Sequence, residues 1–276
     1  MKTRALTAAA VIPLVLVAVF LATPWPLCAL AFVAAAIGSA ELAGLLGRPA
    51  ARMPLLGLGC IGLAAAYLAG AFSELDPGTF AARNAGLLAA GVLGAALLIA
   101  GQRSRIVSEA ASLWIAAPLA ALALLHEPGR GDASGPWEWR QPLLLALVPI
   151  WIGDTAGILV GKALGRIPFA PQISPNKTWE GAIANLIGCA LGGLLIARLL
   201  GVADIGGLAC GVACGVLGQA GDLFQSALKR SVGKKDSGSL LPGHGGILDR
   251  MDSLLFAGPA VATLLWYFPA LFQAGN

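Results

Sequence analysis

Long apolar runs separated by short polar connections dominate the chain. A helix needs about 20 apolar residues to span the hydrocarbon core of a bilayer. That length picks out about nine segments: 5–21, 27–46, 54–72, 84–100, 106–125, 142–164, 178–200, 205–223 and 253–272. The first and fourth are short. Each reads as a membrane-spanning helix, so the expected fold is all-α and polytopic. Lys2 and Arg4 ahead of segment 5–21 also suit a cleaved leader. A first helix that stays in place is the expectation, because the later spans need no leader.

The connections alternate in charge. Lys2 and Arg4 precede the first span, and the turn at 23–26 carries no charge. Arg48 and Arg52 are followed by Glu74 and Asp76, then by Arg103 and Arg105, then by a mixed loop over 126–140. Lys162, Arg166 and Lys177 share the next connection, Asp204 beside Arg198 the one after it, and Lys229, Arg230, Lys234, Lys235 and Arg250 the last. Basic loops are retained in the cytoplasm. The alternation therefore predicts a multi-pass protein of a bacterial-type inner membrane, with a cytoplasmic N-terminus and an external C-terminus.

Composition excludes the soluble classes. Hydrophobic residues make up 58% of the chain and charged residues 12%, against about 25% charged in a typical soluble domain. Such a chain must face lipid over most of its exterior. The net charge of +4 says little about partners, and no nucleic acid is expected. Cys28, Cys60, Cys189, Cys210 and Cys214 all lie in apolar segments and read as small core residues.

Polar chemistry is unevenly distributed. The first five spans hold few polar residues beyond Glu41, near a span end, whereas nearly all unusual polar residues follow Trp151. Residues 1–140 read as transmembrane scaffold, and 141–276 as a catalytic region with cytoplasmic loops. The stretch 219–252 leaves an apolar helix, gathers four cations, passes a glycine-rich turn and ends in paired acids. If the helix continues, Asp222, Ser226 and Arg230 share a face with Lys229 nearby, and Asp249 and Asp252 share another. Asp222, Asp249 and Asp252 offer the carboxylate oxygens that a hard cation takes while keeping positions for phosphate. Residue types alone leave open whether these acids bind metal or pair with neighbouring cations. Lys229, Arg230, Lys234 and Lys235 suit phosphate neutralisation, although basic clusters beside spans also serve only topology or lipid attraction. His244, in the turn Pro242-Gly243-His244-Gly245-Gly246, suits donation to a phosphate or proton transfer, and its glycines would let backbone amides approach a ligand.

A second constellation lies over 153–181. Asp154 falls within an apolar run, which is costly unless it is paired or faces a polar cavity. Gly153, Gly157, Gly161 and Gly165 recur at four-residue spacing, as do Gly207, Gly211 and Gly215; both rows predict close helix packing. Ser174-Pro175 reads as a turn. Thr178 is expected to cap the following helix, with Glu180 in its first turn, and Lys177 at that helix start favours bound phosphate.

These residues resemble the phosphatidate cytidylyltransferase, or CDP-diacylglycerol synthase, family. Ser226, Lys229-Arg230, Lys235-Asp236, His244-Gly245-Gly246 and Asp249-Arg250-Met251-Asp252 meet every fixed position of that family's long signature. Asp154-Thr155, Gly161-Lys162, Ser174-Pro175, Lys177-Thr178 and Glu180-Gly181 are also similar to it. The motifs cover roughly the last 125 residues. One departure is Ala156-Gly157, where relatives often place an aromatic; its expected effect is on packing.

The resemblance implies a Mg²⁺-dependent transfer of CMP from CTP to phosphatidic acid, giving CDP-diacylglycerol and pyrophosphate, at a cytoplasmic site bordering the bilayer. It implies catalytic roles for Asp222, Lys229, Arg230, His244 and Asp249, and metal binding by Asp222, Asp249 and Asp252. It also implies substrate contacts from Ser174, Lys177, Thr178, Ser226, Lys234, Lys235 and Arg250. Family analogy allows a second cation and a homodimer. CDP-alcohol phosphotransferases would show four acids with an Ala-Arg step, and a polyprenyl-phosphate sugar-phosphate transferase an Asp-Asp pair; neither pattern occurs. A transporter with an ion site on Asp154 would need broken helices and repeats.

Overall fold

The computed structural model describes residues 13–20, 25–47, 62, 64, 86, 89–94, 96, 111–125, 142–240 and 245–273. In chain order the elements are α1 (Trp25–Leu45), α2 (Leu113–Leu124), α3 (Leu144–Leu164), β1 (Pro168–Ala170), β2 (Ser174–Thr178), α4 (Trp179–Leu200), α5 (Asp204–Ser231), α6 (Leu248–Met251) and α7 (Leu254–Tyr267), with a 3-10 turn at Pro269–Phe272. Residues 13–20 are also helical. Among the described residues, α1, α3, α4 and α5 are long and apolar enough to cross a membrane. The fold is thus the expected helical, membrane-embedded one. Most of segments 5–21, 54–72 and 84–100 lies outside the described residues, so the expected count of about nine spans is not tested by them.

The chain forms two compact units. One comprises Met1–Trp139 and Lys234–Met251, the other Arg140–Gly233 and Asp252–Asn276. In the first, α2 is apolar all round and its side chains are buried from Trp114 to Leu124. It packs against α1, where Gly38 lies close to Ile115 and to Met251. Leu42, Ile115 and Leu248 are fully buried there.

The second unit is an antiparallel bundle closed by glycines. Along α3, Gly153, Gly157 and Gly161 meet Cys189, Asn185 and Gly181 of α4 in turn. On the other side of α4, Gly193 meets Gly207 and Gly211 of α5, and Gly215 meets Leu186. A Cβ on Gly193 would fall on the Gly207 carbonyl oxygen, and one on Gly211 on that of Cys189. Both glycine rows therefore serve the packing that their spacing predicts. No hydrophobic driving force acts between helices in lipid, so this backbone approach supplies the dispersion contacts that hold them. α7 packs on α5 through Gly221, whose Cβ position faces the Asp252 carbonyl and Phe256, and through Phe224 against Phe256 at 5.4 Å. The outer faces of α4 and α5 carry exposed apolar side chains such as Ile187, Leu191, Leu195, Val212 and Val216, as lipid-facing helices do.

Three elements differ from expectation. Ser174–Thr178 is not a turn but a strand, paired antiparallel with Pro168–Ala170 in the register Pro168↔Thr178 and Ala170↔Ser174. Pro175 is tolerated there because the hairpin has only two strands, so each strand has an open edge. α5 runs on to Ser231 rather than ending near 223. Its last turns are polar but remain helical until Gly233, whose φ of +69° ends the pattern. α7 stops at Tyr267, because Phe268 precedes Pro269 and the α conformation is disfavoured before proline.

Gly193→Val should lower the thermal midpoint of the purified chain by several degrees, equivalent to about 1–3 kcal/mol of overpacking. Gly44→Ala, where a Cβ meets nothing within 4 Å, should leave it unchanged or slightly raised. Thermal unfolding in detergent, followed by tryptophan fluorescence, makes the comparison.

Candidate active site

Within the second unit, charged side chains gather toward one end of the bundle. The β1–β2 hairpin delivers Lys177 to that end. Its closure is local: Phe169 stacks edge-on against Trp179 at 4.5 Å, and the Trp179 N–H donates to Ile167 O at 2.9 Å. Thr178 caps α4, its hydroxyl accepting from the Gly181 N–H at 3.2 Å. Glu180 adds a second tie, its carboxylate accepting from the Ile167 N–H at 3.3 Å. Lys177 Nζ then reaches Asp222 Oδ2 at 2.5 Å.

Asp222 sits where the apolar part of α5 gives way to its polar turns. Ser226, one turn on, donates to Asp222 Oδ1 at 3.4 Å, so the shared helix face expected from the spacing exists. Asp252 follows α6 and faces the same place. Burial raises its carboxyl above the ordinary value of 3.8; the charge of Asp222, and to a lesser degree that of Asp154, pushes the same way, while Lys229 opposes them. Lys229 is only 9% exposed, so its ammonium lies inside the cluster rather than on a solvated face. Asp154 Oδ1 accepts from Asn185 Nδ2 at 3.0 Å. Asn185 lies six residues into α4, about 9 Å from its start, so Asp154 sits deeper along the bundle than Asp222, which Lys177 reaches from just ahead of α4. The Arg198–Asp204 pair, 2.8 Å apart, links the far ends of α4 and α5.

The first unit holds a different arrangement, centred on the residues before and in α6. Asp249 Oδ2 accepts from the backbone N–H groups of Ser237 and Gly246, both at 2.9 Å. Glu41 of α1 accepts from the next two amides, Ile247 at 3.0 Å and Leu248 at 2.9 Å, and from Ser237 Oγ at 3.0 Å. Three consecutive amides and one serine thus converge on two carboxylates. Gly245 adopts a φ of +78°, a conformation that favours glycine. The sequence pattern assigns these glycines to ligand approach; in the structure they admit protein carboxylates.

The predicted residues divide accordingly. Asp222, Asp252, Lys177, Lys229 and Ser226 come together in one unit. Asp249 belongs to the other unit, in a short helix that ends before Asp252. Thr178 is engaged as a cap. Ser174 is half-buried in β2, and Arg230 is exposed with its Nε donating to Ile173 O at 3.3 Å. Lys234 Nζ donates to Gly44 O at 2.9 Å at the end of α1; Lys235 and Arg250 are exposed. His244 lies outside the described residues. Among the described residues, no group of three or more His, Cys, Asp or Glu side chains is arranged as a complete metal site. Sequence reasoning passed over Glu41, Asn185 and Ser237. Glu41 and Asn185 did carry a signal, each being an isolated polar residue in an otherwise apolar helix.

An apolar bundle that gathers carboxylates and lysines near the ends of its spans defines a membrane protein with an anion-compatible site. The chain matches the cytidylyltransferase family over residues 2–268 and belongs to it. It is 45% identical over 146 residues to the phosphatidate cytidylyltransferase of Brucella suis biovar 1, an alignment covering 52% of this chain and 51% of that protein. It is 48% identical over 131 residues to the chloroplastic phosphatidate cytidylyltransferase 5 of Arabidopsis thaliana, covering 45% and 32% respectively. A phosphatidate cytidylyltransferase of Synechocystis is 40% identical over 158 residues, covering 53% and 52%. These alignments take in about half the length of the first relative, or less.

The raised carboxyl of Asp252 makes a signed prediction. The native state holds this proton more tightly than the unfolded chain, whose carboxyl titrates near 3.8. Stability from this group is therefore present below that pH and is lost as pH rises through the folded value. Without divalent cations, Asp252→Asn should melt higher than the parent at pH 7. The gap should close as pH approaches 4, as read by thermal midpoints in detergent with a chelator.

Proposed function

We propose that the chain is a phosphatidate cytidylyltransferase of the inner membrane, working on CTP from the cytoplasm and on phosphatidic acid from the bilayer. The convergence of Lys177, Asp222, Lys229 and Asp252 at one end of an apolar bundle carries this reading, and the names of the relatives support it. The lipid phosphate oxygen attacks the α-phosphorus of CTP; that P–O bond forms as the bond to the β-phosphate bridge breaks, and pyrophosphate leaves. Nucleophile and electrophile are both anionic, so the work is charge neutralisation and in-line positioning. Lys177, Lys229 and Arg230 neutralise the lipid phosphate or the leaving pyrophosphate. Ser174, Thr178, Ser226, Lys234, Lys235 and Arg250 are assigned to the substrates, and His244 to a phosphate contact or a proton.

The donor set at Asp222 and Asp252 fits a hard divalent cation. Two carboxylates are forced into one partly buried place, and burial together with like charge lifts one of them. Mg²⁺ binds through one or two carboxylates plus substrate phosphates rather than in a closed protein cage. Asp222, Asp252 and, by the family resemblance, Asp249 would hold it, with a second cation where one is used. When bound, it supplies positive charge to phosphate oxygens. Lys177 would then exchange Asp222 for a phosphate. The position of the acids where spans end suits a lipid headgroup entering sideways while the nucleotide arrives from the aqueous side. The basic connections support a cytoplasmic N-terminus and a cytoplasmic site. A homodimer is proposed by family analogy alone.

Purified protein in detergent should release pyrophosphate from CTP only when phosphatidic acid and Mg²⁺ are both present, with little release from ATP or GTP. Asp222→Asn, Asp249→Asn and Asp252→Asn should each lower turnover by about 100-fold or more, in the range seen on removing one group that stabilises transition-state charge, while the protein still inserts in the membrane. Turnover independent of phosphatidic acid would overturn the assignment, and unchanged turnover in Asp249→Asn would remove that residue from the site.

A further inference from the structure

We infer that Glu41, in the apolar N-terminal part of the chain and outside every motif that marks the family, is a positioning residue for Asp249. The inference rests on the proposed reading, in which Asp249 serves metal and substrate. A carboxylate in an otherwise apolar helix is costly, and this one is compensated by Ile247 N–H, Leu248 N–H and Ser237 Oγ–H. Ser237 is the shared element. Its hydroxyl donates to Glu41 and its backbone N–H to Asp249, while the Gly246 N–H, next to the pair held by Glu41, also donates to Asp249. The two acids thus divide one set of donors between them.

Removing Glu41 would free two adjacent amides and a hydroxyl beside Asp249, whose Oδ2 already accepts from the neighbouring Gly246 N–H and from the Ser237 N–H. Asp249 would be drawn off its present rotamer and its charge spent on its own backbone. Two glycines record how closely Glu41 is fitted. A Cβ at Gly238 would lie 2.6 Å from Glu41 Oε1, and one at Gly246 would fall on Glu41 Oε2 and Ser237 Oγ. The last glycine of His244-Gly245-Gly246 is therefore required by a side chain about 200 residues away in sequence, and not by ligand approach alone.

The test uses the full chain in detergent, with Glu41→Gln and the milder Ser237→Ala. Gln keeps the size but turns an NH₂ toward one of the three donors. Two readouts are taken: Mn²⁺ affinity by electron paramagnetic resonance, and the Mg²⁺ concentration giving half-maximal pyrophosphate release with CTP and phosphatidic acid. Glu41→Gln should weaken both by at least fivefold, with kcat lowered tenfold or more in the folded fraction; Ser237→Ala should shift both in the same direction by less. Unchanged Mn²⁺ affinity and Mg²⁺ requirement, with turnover reduced only in proportion to the folded fraction, would show a merely structural tie and overturn the inference. If Glu41→Gln does not fold, Ser237→Ala decides on the same criteria. A parent chain that binds Mn²⁺ but does not turn over CTP and phosphatidic acid overturns the activity reading instead, and the Mn²⁺ shift still judges Glu41. A parent that binds no Mn²⁺ overturns the inference.

Discussion

Like charges crowded together at one end of an apolar bundle must be compensated, and this requirement organises the second unit. Asp222 and Asp252 face each other closely enough that the charge of one raises the carboxyl of the other. Nothing in a lipid-facing helix can solvate such a pair. The compensation comes from Lys177 on a hairpin and from buried Lys229 on the next turns of α5. Charges held this way favour a ligand that brings cations to the acids and anions to the lysines together, and a metal–triphosphate complex has that composition.

Glycine makes the compensation geometrically possible. Side chains as short as those of Asp and Asn reach one another across helices only when the backbones approach closely. Gly157 and Gly161 of α3 face Asn185 and Gly181 of α4, and within that contact Asn185 reaches Asp154. The glycine row on α5, with Gly193 of α4, extends the approach to Gln219, whose side-chain amide donates to Ala182 O at 3.1 Å and Gly215 O at 2.8 Å. Packing and chemistry here share one set of positions, since larger residues in those rows would part the helices that carry the polar groups.

The first unit uses the same economy at a loop. Glu41 and Asp249 absorb the donors of a turn that would otherwise expose unpaired amides near the membrane. The N-terminal part of the chain is thus more than inert scaffold, because one of its few acids organises a segment bearing the family signature.

Much was legible in advance because hydropathy and spacing are local quantities. Apolar length located α1, α3 and α4 to within two residues at each end, period-four glycines foretold contact, and the four-residue spacing of Asp222 and Ser226 foretold their shared face. The same locality explains the misses. Apolar length could not see that α5 stays helical through its polar end, since helix continuation depends on backbone conformation rather than on lipid contact. Ser174-Pro175 looked like a turn because its pairing partner, Pro168–Ala170, carries no strand signature of its own.

Hydropathy, composition and motif spacing alone thus identify a helical membrane protein of the cytidylyltransferase family and pick out a set of candidate acids and lysines. Which of them meet is a property of the folded bundle: Lys177 with Asp222, Asp252 with Asp222, Asp154 with Asn185, and Glu41 with the turn before Asp249. Spacing along a chain reports neighbours on one helix. Partners drawn from different helices are selected by how the buried charges and freed amides of the whole fold can be satisfied at once.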